Sequence, residues 1–170
     1  CIIPKARGPV RSKPPEELRA ELADLAANGY RGVVLAGINL SSYGKEIGLR
    51  LIDAVELACS VEGIERVRLG SLEPELLTGE DIARMAKLRK FCPQFHLALQ
   101  SGCDRTLRAM NPHYDTAEYA RIAADIRRAF ENPSLTTDIM VGFPGETEED
   151  FAESLAFARE MGFAKAHVFA

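Results

Sequence analysis

Residues 135–162 read LTTDIMVGFPGETEEDFAESLAFAREMG, and this stretch decides the fold class. It begins with an apolar run typical of a strand and passes through a turn that contains two glycines. Thr147 and Asp150 then have the spacing of a capping box, which predicts a helix over the residues that follow. The stretch is therefore one strand, loop and helix unit of an α/β protein.

The same unit recurs on both sides of this stretch. Four further apolar runs predict strands, at 32–37, 66–71, 95–100 and 164–170. Helical periodicity predicts helices over 14–29, 46–60, from Thr78 to just before Pro93, and over 116–130. The order is one opening loop and then a helix and a strand, repeated five times. This order indicates right-handed crossovers, a parallel sheet and a single domain.

Polar residues within the predicted strands bear on the shape of that sheet. A strand covered by helices on both faces is apolar throughout, yet Arg68, His96, Asp138 and His167 each lie inside a predicted strand. One face of the sheet must then meet water, as in the lumen of an incompletely closed barrel. Five strands are also fewer than the eight of a closed barrel. We therefore predict an open, TIM-like barrel.

Composition limits the classes of partner. The chain has 170 residues and a net charge of −4. Without the four bases of the opening stretch, its 21 Lys and Arg fall to 17 against 25 acidic residues, a charge of −8. Because nucleic-acid binding calls for a broad cationic face, only that opening stretch could meet a phosphate backbone, and a solvated basic loop explains it equally well. The candidate rim residues are Lys5, Arg7, Arg11 and Lys13.

Cysteine spacing and hydropathy give a second limit. The four cysteines form no C-x-x-C pair, which disfavours a zinc ribbon, and a disulfide framework is improbable in such a chain. Cys59, Cys92 and Cys103 are predicted to be unreactive core thiols. Within these 170 residues no stretch has the pattern of a signal peptide or the length of a membrane-spanning apolar run. We expect a cytoplasmic protein, or a piece of one, without a membrane partner.

The loops that follow the first four strands predict a ligand cleft. They read GINLSSYG, SLEPE, QSGCD and GFPGETEED, and each combines small residues with hydrogen-bonding side chains. Ligands of parallel α/β proteins bind at this edge of the sheet. GFPGET could form a phosphate cradle, but it lacks a P-loop lysine and is followed by acidic residues, so a packing or amine-contacting turn is favoured.

Six motifs, in order and spacing, resemble the radical S-adenosylmethionine methylthiotransferases, the MiaB-like family. They are CIIPKARGPVRSKP, GINLSSYG, RLGSLEPE, LALQSGCDRTLRAMN, TTDIMVGFPGETEEDF and HVF, and they extend over nearly the whole chain. The resemblance implies a partial (β/α)6 barrel of the radical domain. It also implies that the first barrel strand, an N-terminal methylthiotransferase domain and a C-terminal TRAM domain lie outside residues 1–170.

The resemblance further implies the cofactors, a 4Fe-4S cluster and S-adenosylmethionine. Cys1 would be the third cysteine of a Cys-x3-Cys-x2-Cys cluster motif, so this chain by itself is expected to be inactive. A second cluster is expected in the N-terminal domain. The implied cofactor-binding residues are Gly37, Ile38, Asn39, Ser71, Glu73, Gln100, Ser101, Val141, Gly142 and Phe143. Catalytic residues are not implied, and Pro112 stands where the family has an arginine.

The implied function is insertion of sulfur and a methyl group on carbon 2 of a modified adenosine beside the tRNA anticodon. GINL, SLEPE and QSG most resemble the MtaB-type branch, whose nucleoside is N6-threonylcarbamoyladenosine. The partners would be tRNA and an electron donor such as flavodoxin or ferredoxin. Two alternatives stay open: a two-electron barrel enzyme of a phosphorylated metabolite, and an inert fragment or interaction module.

Overall fold

The computed structural model describes residues 5, 6 and 8–170. These residues form six strands, and helices connect most of them. The strands are β1 (Gly32–Leu35), β2 (Arg66–Leu69), β3 (Ser71–Leu72), β4 (Gln94–Leu97), β5 (Ser134–Met140) and β6 (Lys165–Phe169). The helices are α1 (Pro15–Ala27), α2 (Leu51–Ser60), α3 (Gly79–Met85), α4 (Asp104–Met110), α5 (Thr116–Ala129) and α6 (Glu148–Met161).

All strand pairs are parallel, and their order in space is their order in the chain. β1 pairs with β2, and β3 to β6 pair in sequence. β2 and β3 are the two halves of the strand predicted over 66–71, and Gly70 alone separates them. A bridge between Val67 and Phe91 joins β2 to the segment before β4. The predicted parallel α/β sheet is confirmed, and β1 and β6 are unpaired along one side within the described residues.

Capping residues set the starts of three helices where the sequence predicted them, whereas the helix predicted over 46–60 begins only at Leu51 and the one predicted to reach Pro93 ends at Met85. Thr78 with Asp81 and Thr147 with Asp150 form complete capping boxes at α3 and α6. Asp115 accepts a hydrogen bond from the Glu118 amide at the start of α5. Helix α4 was not predicted, because it has only seven residues and its N-cap, Cys103, offers no side-chain cap.

The core lies between one face of the sheet and the helices. Phe95 is fully buried and its ring packs against those of Phe91 and Phe130. Tyr119 of α5 is also buried, and its hydroxyl donates to the Leu97 carbonyl at 2.9 Å. A second cluster joins α1 and α2 to β2. Among the described helices, none combines the length and hydropathy needed to cross a membrane.

Burial alternates strictly along β2, β4 and β5. Every second residue faces the core, and the residues between them are partly or fully exposed. The exposed set includes Arg68, His96 and Asp138, so the predicted polar face exists. We call this surface the open face of the sheet, defined by Arg68, Gln94, His96, Thr136, Asp138 and His167.

Candidate functional site

The loops after β1 and β3 are tied together at the carboxyl ends of the strands. The Ser41 hydroxyl accepts a hydrogen bond from the Glu73 amide at 2.9 Å. Asn39 caps the short 3-10 helix Leu40–Ser42 by accepting from the Ser42 amide at 3.1 Å. Ser41 was not among the predicted site residues, because a serine in a loop gives no signal until its partner on another strand is known. These contacts place Asn39 and Glu73 beside each other.

Two carboxylates make this part of the cleft acidic. Burial raises the pKa of Glu73, and the neighbouring Glu75 raises it further, while a hydrogen bond from Asn39 opposes the shift. The Oε2 atom of Glu75 is buried and has no hydrogen-bond partner within the described residues. Buried polar atoms are normally paired, so an amino group of a ligand would satisfy this one.

Gln100 lies three residues after the end of β4 and has a left-handed backbone conformation. Its φ of 64° is uncommon for a residue other than glycine. Its amide donates to the Asp138 carbonyl at 2.9 Å, and its carbonyl accepts from the Met140 amide at 2.7 Å. The backbone of Gln100 is therefore fixed, and its side chain remains partly exposed at the strand ends.

Ser101, the next residue, does not reach the cleft. Its side chain is fully buried, and its hydroxyl accepts from the Cys103 amide at 3.2 Å. The neighbouring Gly102 packs directly against α6, where an added Cβ would lie 2.8 Å from the Phe157 Cβ. Close packing between this loop and α6 turns Ser101 inward, so the structure does not support it as a ligand contact.

The loop after β5 is a closed turn. The Gly142 amide, whose φ of 73° suits glycine, donates to the Glu146 carboxylate at 2.5 Å. Arg105 of α4 binds the Gly145 carbonyl at 3.2 Å and forms an ion pair with Asp150. Because a carboxylate already occupies the Gly142 amide, the turn is suited to packing and not to holding a phosphate.

The remaining predicted residues are distributed as follows. Gly37 and Ile38 are exposed in the loop after β1, and Ser71 is exposed on β3 beside His96. Val141 and Phe143 are partly buried on either side of Gly142. The structure thus brings all the predicted cofactor residues except Ser101 to the accessible carboxyl edge of the sheet.

The basic rim is only partly described. Lys5 and Arg11 are exposed, whereas Lys13 forms an ion pair with Glu21. Cys1 and Arg7 lie outside the described residues, so their predicted roles stay predictions. Of the other cysteines, Cys103 is buried and Cys59 and Cys92 are partly buried. Burial raises the pKa of the Cys59 thiol, which agrees with an unreactive core cysteine.

Directly below the strand ends, the open face carries two histidines on one carboxylate. The Asp138 oxygens lie 3.2 Å from His96 Nε2 and 3.1 Å from His167 Nδ1. His96 Nδ1 lies 2.9 Å from the Thr136 hydroxyl. Arg68 bonds Gln94 instead of Asp138. The carboxylate of Asp138 therefore pairs with His96 and His167 and not with Arg68.

The ligand atoms of His96, Asp138 and His167 lie within 4.8 Å of one another, as a divalent metal site requires. The same distances are those of hydrogen bonds between imidazole rings and a carboxylate. With Thr136 also bonded to His96, the arrangement is complete as a hydrogen-bonded cluster.

Comparison with known proteins gives three results. The profile of the radical SAM superfamily matches residues 1–158. Proteins named tRNA-2-methylthio-N(6)-dimethylallyladenosine synthase match 99% of this chain, with identities of 40% in Clostridium botulinum, 43% in Caldicellulosiruptor saccharolyticus and 44% in Thermobifida fusca. The chain spans 38%, 36% and 35% of the length of these relatives.

The third result concerns the fold. Coproporphyrinogen III oxidase (HemN) from Escherichia coli, described as a radical SAM enzyme, aligns with a TM-score of 0.65 and 16% identity. The alignment covers 89% of this chain and 35% of that one. At this identity the likeness concerns the fold alone, and it agrees with the open TIM-like barrel predicted from the polar face.

Proposed function

We propose, since this chain belongs to the radical SAM superfamily, that it is part of a radical S-adenosylmethionine tRNA methylthiotransferase. The enzyme would insert sulfur and a methyl group on carbon 2 of an N6-modified adenosine beside the anticodon. The observation that carries this proposal is 40–44% identity over 99% of the chain with synthases named for that reaction type.

The nucleoside we propose is N6-dimethylallyladenosine. The relatives are named for it, and not for the threonylcarbamoyl nucleoside that the loops indicated. Met140 and Phe169 pair in register at the carboxyl ends of β5 and β6, and both side chains are exposed. Apolar side chains suit a dimethylallyl group. The carboxylate of a threonylcarbamoyl group would instead meet Asp138 and the acidic turn after β5.

The family implies a 4Fe-4S cluster and S-adenosylmethionine, and the cleft fits the amino acid part of the latter. The unpaired Glu75 oxygen, beside Glu73, suits an ammonium group. When bound, the reduced cluster and S-adenosylmethionine would supply a deoxyadenosyl radical that takes hydrogen from the adenine ring.

This chain's own residues would bind and orient that cofactor. The loop Gly37 to Asn39 would meet its amino group, and Ser71, Glu73 and Gln100 its other polar parts. Val141 to Phe143 would lie beside the adenine. Cys1 would be a cluster ligand, and a flavodoxin or ferredoxin would donate electrons. A phosphorylated metabolite is not favoured, because Glu146 occupies the Gly142 amide.

The test uses the full-length protein, with its cluster reconstituted anaerobically and a reductant supplied. The substrates are two tRNAs that differ only in carrying dimethylallyl or threonylcarbamoyl on the same adenosine, with unmodified tRNA as a control. We expect mass spectrometry of the digested tRNA to show a methylthio group on the dimethylallyl nucleoside. Modification of the threonylcarbamoyl nucleoside alone would overturn the substrate, and modification of neither would overturn the function.

A further inference from the structure

A continuous hydrogen-bonded chain crosses the open face from β2 to β6. Arg68 Nη2 lies 3.1 Å from Gln94 Oε1, and Gln94 Nε2 lies 3.3 Å from Thr136 Oγ1. Thr136 Oγ1 is 2.9 Å from His96 Nδ1, and His96 Nε2 and His167 Nδ1 meet the two oxygens of Asp138. Strands β2, β4, β5 and β6 contribute to these contacts.

The chemistry of Arg68 sets the donor-to-acceptor direction of these hydrogen bonds. A guanidinium can only donate, so the oxygen of the Gln94 amide must face Arg68 and its NH2 group must face Thr136. The Thr136 hydroxyl accepts that bond and is free to donate its own proton to His96 Nδ1. His96 then carries its proton on Nε2 and donates it to Asp138.

At the other end of this series of hydrogen bonds, the Asp138 carboxylate fixes the position of the proton on His167. An ionised carboxylate only accepts hydrogen bonds, so His167 must carry its proton on Nδ1 and donate it to Asp138. The second ring nitrogen, Nε2, then has a free lone pair. It makes no hydrogen bond within the described residues, and 46% of the His167 side chain is exposed.

His167 lies where a ligand of the cleft would reach it. It pairs in register with Asp138, two residues before the pair of Met140 and Phe169 at the strand ends. The Asp138 carbonyl is the acceptor that fixes the Gln100 amide at 2.9 Å. The His167 ring is therefore part of the floor of the same cleft.

We propose that this network presents the Nε2 atom of His167 as a fixed hydrogen-bond acceptor, and that this atom binds an N–H or O–H group of a nucleoside in the cleft. The inference rests on the proposed function only for the choice of nucleosides. Both the substrate nucleoside and the nucleoside part of S-adenosylmethionine carry such donors. In this arrangement Asp138 is the positioning residue of His167, whereas Thr136 and Gln94 act on His96.

The first test reads the histidine tautomers directly. The chain has three histidines, and the third, His113, is exposed and serves as an internal control. In long-range 1H–15N spectra of 15N-histidine-labelled chain at pH 8.5, where an ordinary histidine is neutral, we expect His167 protonated on Nδ1 and His96 on Nε2. A proton on Nε2 of His167, or a mixture like that of His113, would overturn the proposal.

Two variants separate the network from general folding. In Asp138→Asn the amide can donate to one of the two histidines, so we expect at least one ring to change tautomer. In Thr136→Val, His96 should lose its preference for the tautomer with the proton on Nε2, while His167 keeps its proton on Nδ1. If His167 loses the proton on Nδ1 in Thr136→Val but keeps it in Asp138→Asn, the assigned direction of the hydrogen bonds is wrong.

The second test identifies the ligand. Millimolar N6-dimethylallyladenosine and S-adenosylmethionine are added separately, and we expect one of them to shift the His167 Nε2 resonance. His167→Asn keeps a donor for Asp138 but lacks the Nε2 position, and should raise the Kd of that nucleoside about 10-fold. Failure of both nucleosides to shift Nε2 would overturn the binding site. No turnover is needed, so this failure is distinct from loss of the methylthiotransferase assignment.

Discussion

The two faces of β4 and β5 are built from alternate residues of the same strands, yet they follow different rules. On the buried face, Phe95, Leu97 and Ile139 pack against helices with almost no exposed surface. On the open face, His96, Thr136 and Asp138 hold one another through directional hydrogen bonds. The buried face stabilises the fold through burial of apolar side chains. The open face contributes little to the free energy of unfolding, but it fixes the positions of polar atoms. Substitutions at adjacent positions can therefore separate the two roles.

The largest expected effect concerns adjacent residues of β4. Phe95→Ala should lower the free energy of unfolding by about 3–5 kcal/mol, because it empties the centre of a ring cluster that cannot fully collapse. His96→Ala should cost less, about 1–2 kcal/mol, since it loses two side-chain hydrogen bonds and a ring contact with His167 on the open face. Urea denaturation measures both. Equal losses would show that the faces do not differ as described.

The next effect is on activity. In the full-length enzyme, Asp138→Asn should reduce the rate of methylthio product formation about 10- to 100-fold, the range for losing an orienting partner. Its denaturation midpoint should stay close to that of the unchanged protein, since Asp138 is not in the core. A matched loss of stability and activity would place Asp138 with the buried face instead.

Two neighbouring threonines give a third, smaller contrast. Thr137 is fully buried, and its hydroxyl accepts from the Leu99 amide at 3.0 Å and donates to the Leu97 carbonyl at 2.7 Å. Thr137→Val should cost about 1–3 kcal/mol, because a buried amide is left unpaired. Thr136→Val should cost less, about 0.5–1 kcal/mol, because it loses side-chain hydrogen bonds on the partly exposed face. Thermal unfolding of both variants tests this, and the reverse order would contradict the assignment of faces.

The smallest effect concerns pH at the strand ends. Because burial raises the pKa of Glu73, the folded state holds its proton more tightly than the unfolded state. The stability from this group is complete below its usual pKa of 4.5 and is lost as the pH rises through the raised value. Glu73→Gln removes this loss, so the variant should gain stability relative to the unchanged chain between pH 4.5 and 7.

The matched control for that experiment is Glu62→Gln, at an exposed glutamate just after α2. Denaturation midpoints across the pH range should diverge for Glu73→Gln and stay parallel for Glu62→Gln. If both variants show the same dependence on pH, Glu73 is not in a desolvated cleft.

Much of the fold could be predicted because its signals are local. Capping pairs such as Thr147 with Asp150 set the helix starts, and a period of two identified the polar face. Helix α4 was missed because it is short and has no side-chain cap at Cys103. Ser101 was predicted to meet a ligand because it follows Gln100 in a polar loop, but packing of Gly102 against α6 buries it.

The sequence by itself determined the parallel α/β architecture, the open polar face and the family resemblance, since each depends on residue order and spacing along one segment. Only the tertiary structure decided which polar residues meet. His96, Asp138 and His167 belong to three strands, and their contact depends on the register of parallel pairs, in which Asp138 lies opposite His167. Register depends on packing of the whole sheet, because a shift along a strand changes every partner at once.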